Sequence, residues 1–171
     1  ARWLRGDAAE PVSRNSLMVH APHREEGYWQ DPDSRRKLFY RLWRPPDAKR
    51  LIVVVHGFGE HSGRYEAFAQ ELAKLGWAVG CADLWGHGRS DGNRGDIDRF
   101  DDYLTDLNAL IYGLLLPQTG LASYSLFGHS FGGLLGAHWA IRAPKELKAV
   151  ILQSALFQVG FVVALGLLAD T

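Results

Sequence analysis

Gly128-His129-Ser130-Phe131-Gly132 has the form G-x-S-x-G. A strand-like run, SYSLF at 123–127, leads into it, and a helix-like run, LLGAHWAIR at 134–142, leads out. A serine at that junction sits at the tip of a tight strand-to-helix turn, exposed at the top of a sheet. Flanking glycines, here Gly128 and Gly132, allow the backbone to turn where a side chain would collide. The pattern predicts Ser130 as a nucleophile held above a parallel sheet, with His129 lining the elbow or supporting it.

Upstream of the motif, strand and helix signals alternate. Segments 26–30 and 37–44 read as a hairpin joined by Asp31-Pro32-Asp33-Ser34, which is turn chemistry. LIVVV at 51–55 is a β-branched run without polar alternation, as a central strand covered on both faces requires. Tyr65, Phe68, Ala69 and Leu72 follow helical spacing, with Gly76 as a stop, and 77–82 reads as the next strand. Tyr103, Leu107, Leu110, Ile111 and Leu114 mark one face of a second helix, whose end is expected at Pro117. A last strand is expected over 148–153. This order implies a mostly parallel sheet with helices on both faces, and active groups beyond the carboxyl ends of the strands. Ser130 falls at one such end and His56 at another.

The chain's 171 residues suit one domain with a buried core. Its nineteen basic and nineteen acidic residues cancel, which gives no electrostatic reason to expect nucleic acid as a partner. Cys81 is the single cysteine, so no internal disulfide can form. Its apolar surroundings point to a buried, inert thiol. No His, Cys, Asp or Glu cluster has metal-ligand spacing, and the glycines near Gly57 lack the G-K-[ST] ending of a phosphate loop. Neither a metal nor a cofactor is implied. The first 20 residues hold charges and no secretory apolar region, so the expected location is cytoplasmic or peripheral to a membrane. ALFQVGFVVALGLLA at 155–169 is too short for a membrane span and reads as a buried or lipid-facing helix.

His56-Gly57-Phe58-Gly59-Glu60 follows the 51–55 strand directly. A glycine-rich loop there can bring a backbone N–H close to a substrate oxygen. Acyl transfer needs such donors, because its tetrahedral intermediate carries an oxyanion; losing one donor costs about 3 kcal/mol of transition-state stabilisation. On this architecture one donor comes from that loop and one from the residue after the nucleophile, which are Phe58 and Phe131 here. His56 is suited to hydrogen bonds that hold the loop, and Glu60 and His61 to stabilising it. Asp83 is suited to accepting from the backbone of the loop it opens.

Three blocks then carry a family resemblance: HGFGEHSGRY at 56–65, DLWGHGRSDGNRG at 83–95 and GHSFGG at 128–133. With them the chain resembles the α/β-hydrolases, in the branch of monoacylglycerol lipases, lysophospholipases and serine aminopeptidase-type hydrolases. The likeness covers roughly residues 25 to 157 and the N-terminal part of the family pattern. It implies Ser130 as nucleophile, the Phe58 and Phe131 amides as oxyanion hole, and an ester of a single long acyl chain as substrate. Small-molecule esters or lipids are the partners so implied, with membrane contact through the apolar segment; oligomeric state is left open.

In such enzymes the triad runs nucleophile, acid, histidine. After Ser130 the acids are Glu146 and Asp170 and the histidine is His138. His138 lies ~12 Å along the outgoing helix at the usual rise per residue, too far to serve Ser130. The expectation is therefore a partial hydrolase core: an extension at 1–24, core at 25–155, and the start of an apolar cap at 156–171, cut after about the sixth strand. A serine without its base is a poor nucleophile, so these residues alone should be nearly inactive. Other esterases or aminopeptidases of the same fold, and a non-catalytic hydrolase-fold binding protein, are the alternatives.

Overall fold

A computed structural model describes residues 23–33, 35–142 and 144–156. Most of the expected N-terminal extension, nearly all of the expected cap segment, and Ser34 of the predicted turn lie outside these residues.

The chain opens with two antiparallel strands, β1 (His23–Gln30) and β2 (Lys37–Arg44), paired from His23 with Arg44 to Gln30 with Lys37. The hairpin is the predicted one, begun three residues earlier. Four further strands follow: β3 (Arg50–Val55), β4 (Trp77–Ala82), β5 (Tyr124–His129) and β6 (Leu147–Gln153). They form one sheet in the order β1-β2-β4-β3-β5-β6, with β4, β3, β5 and β6 mutually parallel and β2 antiparallel to β4.

The absence of polar alternation in β3 has a direct cause. Leu51, Val53 and Val55 point into one apolar cluster, and Ile52 and Val54 into another on the opposite face. Helix α1 (Glu66–Lys74) covers the second cluster through Ala69, with Leu72 packed against it. The first is covered by α2 (Phe100–Ala109) and α4 (Phe131–Ile141), through residues such as Leu104, Leu107, Leu135 and Trp139. Each face of the parallel strands therefore has its own helical layer. Gly76, at φ 79°, follows α1 as the sequence suggests.

Pro117 does not end the second helix, contrary to expectation. The chain passes from α2 through a π-helical turn, Leu110–Leu115, into the short helix α3 (Leu116–Thr119), which contains Pro117. Proline lacks an N–H, and its ring collides with the carbonyl one α-turn back. A π-helical turn is wider and shifts that carbonyl's partner, so the proline is accommodated. The stop comes at Gly120, in the left-handed region at φ 68°, whose N–H closes on the Leu116 carbonyl at 2.9 Å.

The register brings the functional ends together. Val55 lies beside Gly128, Val54 beside Cys81, and His129 beside Gln153. The residues that follow these strands, His56, Asp83 and Ser130, therefore emerge at the same carboxyl edge of the sheet.

Candidate active site

Ser130 is the single residue between β5 and α4. Its backbone sits at φ 52°, ψ −115°, a region that costs a non-glycine residue about 1–3 kcal/mol. The surrounding bonds hold it there. The Ser130 N–H donates to the Gln153 carbonyl at 2.9 Å, and the Ser130 carbonyl accepts from the amides of Gly133 (2.9 Å), Leu134 (3.2 Å) and Leu156 (3.1 Å). The glycines make the turn possible by their size. A Cβ on Gly128 would strike the Gly132 carbonyl, and one on Gly132 would strike the carbonyls of Val55 and His56.

The loop after β3 lies directly against this elbow. A Cβ on Gly57 would sit 3.3 Å from the Ser130 Cβ and 3.2 Å from His129 Nδ1. His56 is fully buried. Its Nδ1 lies 2.8 Å from the Gly57 carbonyl, which can only accept, so Nδ1 carries the proton. Its Nε2 accepts the Leu84 N–H at 2.9 Å. Burial pushes the His56 pKa down to about 4, so the ring stays neutral and its tautomer is set by these two partners. The Gly57 carbonyl also accepts the Glu60 N–H at 3.1 Å. In a trans peptide the N–H points opposite the carbonyl, so the Phe58 N–H is turned away from both donors.

Glu60 ties loop to elbow. Its Oε2 accepts from the Gly57 N–H (3.0 Å) and the Tyr65 hydroxyl (3.0 Å) and meets His129 Nδ1 at 3.3 Å, while Arg64 pairs with Oε1 at 3.1 Å. Burial raises its carboxyl, but the Gly57 amide, the Tyr65 hydroxyl and His129 outweigh it and hold the pKa below the ordinary value. With its N–H committed to Glu60, Gly57 has no amide to offer a substrate. The amides of Phe58 and Phe131 make no hydrogen bond among the described residues, and their rings meet edge-to-face at 6.1 Å.

Asp83 closes the third side. It is buried, and accepts the Ser62 N–H at 2.6 Å and the Arg89 N–H at 2.8 Å, joining the loop before α1 to the loop after β4. Cys81 is buried, and burial raises its thiol pKa well above the ordinary value, as an inert core thiol requires.

The histidines near the elbow are otherwise occupied. His56 is committed at both nitrogens, His129 faces Glu60, and His87 Nδ1 is bonded to the Trp85 carbonyl at 2.9 Å. His138 meets Phe100 edge-to-face, with ring centroids 4.9 Å apart. Glu146 accepts the Tyr112 hydroxyl at 2.8 Å. Among the described residues the Ser130 hydroxyl has no histidine partner, and no group of three or more His, Cys, Asp or Glu side chains could hold a metal ion. No helix among them is long and apolar enough to cross a membrane. Sequence reasoning gave no separate role to His87; it is packed against the His56 and Phe58 rings of the loop after β3 and the Tyr103 ring of α2, and no local spacing signals that.

A family profile described as serine aminopeptidase, S33, matches residues 46–169. The chain belongs to this family of α/β-hydrolases. It falls in the monoacylglycerol lipase-like branch: it is 38% identical over 120 residues to the human monoglyceride lipase, covering 70% of this chain and 39% of that protein. A monoglyceride lipase homolog of monkeypox virus is 35% identical over 133 residues, covering 77% of this chain and 48% of the relative. This S33-family chain thus spans about half the length, or less, of these curated relatives. Among solved structures, a thermostable carboxyl esterase from Bacillus coagulans superposes with a TM-score of 0.64 at 26% identity, covering 74% of this chain and 43% of the esterase.

Proposed function

We propose that the protein is a serine hydrolase of carboxylic esters, of the monoacylglycerol lipase or lysophospholipase kind, acting through an acyl-enzyme on Ser130. The observation that carries this reading is the strained Ser130 elbow lying against a loop whose Phe58 amide is turned outward and unbonded. Ser130 Oγ attacks the ester carbonyl carbon, and the carbonyl oxygen becomes an oxyanion received by the Phe58 and Phe131 amides. His56, Gly57 and Glu60 keep the first donor in place; Gly128, His129 and Gly132 keep the second. Collapse of the intermediate expels the alcohol, and water then hydrolyses the acyl-Ser130 ester. The substrate so read is an ester of one long acyl chain.

The serine proton must go to a base. On this reading the triad acid and histidine lie in sequence beyond Thr171, and the 171 residues alone are nearly inactive. A fluorophosphonate probe should label the longer protein, and Ser130→Ala should abolish the labelling. The 171-residue chain should react about 10²–10⁴-fold more slowly, the usual contribution of a positioned general base. Undiminished labelling of the alanine variant would remove Ser130 from the mechanism. A panel of monoacylglycerols, short-chain esters and amides separates a lipase from an esterase or an aminopeptidase.

A further inference from the structure

Phe58 and Phe131, whose amides are the proposed oxyanion donors, also touch through their side chains. Their rings meet edge-to-face at 6.1 Å, and two buried side chains close a circuit between them. The Phe131 ring meets Tyr103 of α2 at 5.4 Å, Tyr103 meets His87 at 6.5 Å, and His87 meets Phe58 at 5.1 Å. Each contact is edge-on, at the spacing and tilt that ring quadrupoles favour. The rings come from four segments: the loop after β3, the loop after β4, α2 and the first residue of α4. Close-packed side chains transmit displacement, so a shift of one ring is felt by the next.

The two connecting residues are themselves anchored. His87 Nδ1 donates to the Trp85 carbonyl at 2.9 Å, and the Tyr103 hydroxyl reaches the same oxygen at 3.5 Å. Both side chains are buried, whereas Phe58 is 61% exposed, so the exposed ring takes its position from the buried ones. His87 holds the first donor from two sides. Besides Phe58 it packs on the His56 ring at 5.4 Å, and His56 Nδ1 holds the Gly57 carbonyl at 2.8 Å. That carbonyl belongs to the same planar peptide as the Phe58 N–H, so fixing it aims the donor. Tyr103 bears on the second donor, because Phe131 carries both the ring it touches and the amide that opens α4.

We propose that His87 and Tyr103 are positioning residues for the oxyanion hole, setting the spacing and aim of the Phe58 and Phe131 amides through this closed circuit of rings. The proposal rests on the serine-hydrolase reading and adds residues that act through the donors rather than on the substrate. In the longer protein, kcat, KM and inhibition by a trifluoromethyl ketone are measured. The ketone's carbonyl carbon accepts Ser130 Oγ, and its oxygen becomes an oxyanion in the hole, so it reports transition-state binding. Tyr103→Leu and His87→Leu should each lower kcat about tenfold, less than the loss of a whole donor, and leave KM within about threefold. The ketone should weaken in step with kcat/KM. Tyr103→Phe keeps the ring and should restore the parental values. Phe58→Leu keeps the amide and removes only a largely exposed ring; it should reproduce the Tyr103→Leu loss, and the two together should cost less than the product of the single losses. A merely structural role would shift the urea midpoint and leave kcat and the ketone unmoved. Should the buried variants fail to fold, Phe58→Leu still decides the matter. An unaltered kcat in Phe58→Leu, a raised KM at constant kcat, or a Tyr103→Phe as slow as Tyr103→Leu overturns the positioning role. Hydrolysis surviving Ser130→Ala overturns instead the reading beneath it.

Discussion

A methyl group at Gly132 would run into the carbonyl oxygens of Val55 and His56, both backbone atoms at the end of β3. Neither can move without dragging the oxyanion loop with it. Gly132→Ala should therefore cost about 3 kcal/mol, at the upper end of the overpacking range. Gly120→Ala is the informative control: its φ of 68° is also glycine's territory, but open space surrounds it, so strain alone should cost about 1–2 kcal/mol. Shifts of the urea midpoint measure both, and equal costs would show that the close approach at Gly132 is unimportant. The two glycines of G-x-S-x-G were legible in the sequence as positions where a side chain would collide. What Gly132 would collide with was not, because Val55 and His56 lie more than 70 residues away in the chain. The positive φ at the elbow belongs to Ser130 itself, a cost imposed by the bonds around it rather than by residue type.

Between elements, one buried carboxylate ties α2 to the segment entering β2. Asp106 is 3% exposed, with Oδ1 bonded to Arg36 Nε at 2.7 Å and Oδ2 buried without a partner. Burial raises its pKa to about 6; the Arg36 guanidinium pulls the other way, and Asp102 and Asp31 add to the rise. An acid whose folded pKa is raised binds its proton more tightly when folded. Its contribution to stability is then greatest below the unfolded value near 4 and is lost as pH rises through about 6. The stability of the parent relative to Asp106→Asn should accordingly fall by about 2–3 kcal/mol between pH 4 and pH 7. Denaturant unfolding at both pH values measures it, and a pH-independent difference would mean that Asp106 stays ionised in the fold. Strands were the most legible elements, because apolar runs such as 51–55 and 77–82 can be little else at that length. The end of the second helix was not legible. Local propensity stops a helix at Pro117, whereas packing of Leu114 and Leu115 against the core keeps it going through a π-helical turn.

At the scale of the whole molecule, β6 stands apart from the rest of the parallel sheet. Its Val150-Ile151-Leu152 run has the composition of a central strand, yet Ile151 is 50% and Leu152 40% exposed among the described residues. Because successive side chains of a strand point to opposite faces, this exposure lies on both sides of the sheet. The strand pairs with β5 along one edge, and its register there carries the bond from Ser130 N–H to the Gln153 carbonyl. An apolar strand with an open edge is a template for pairing with another chain. The 171-residue chain should therefore associate as its concentration rises through the micromolar range, where such edges drive assembly. Ile151→Lys should weaken that association, since a charge on an edge strand opposes stacking against a second copy. Sedimentation velocity of both forms, from about 1 to 100 μM, tests this directly. A parent chain that stays monomeric throughout, or a lysine variant that associates as strongly, would mean that β6 is covered in solution by chain outside the described residues.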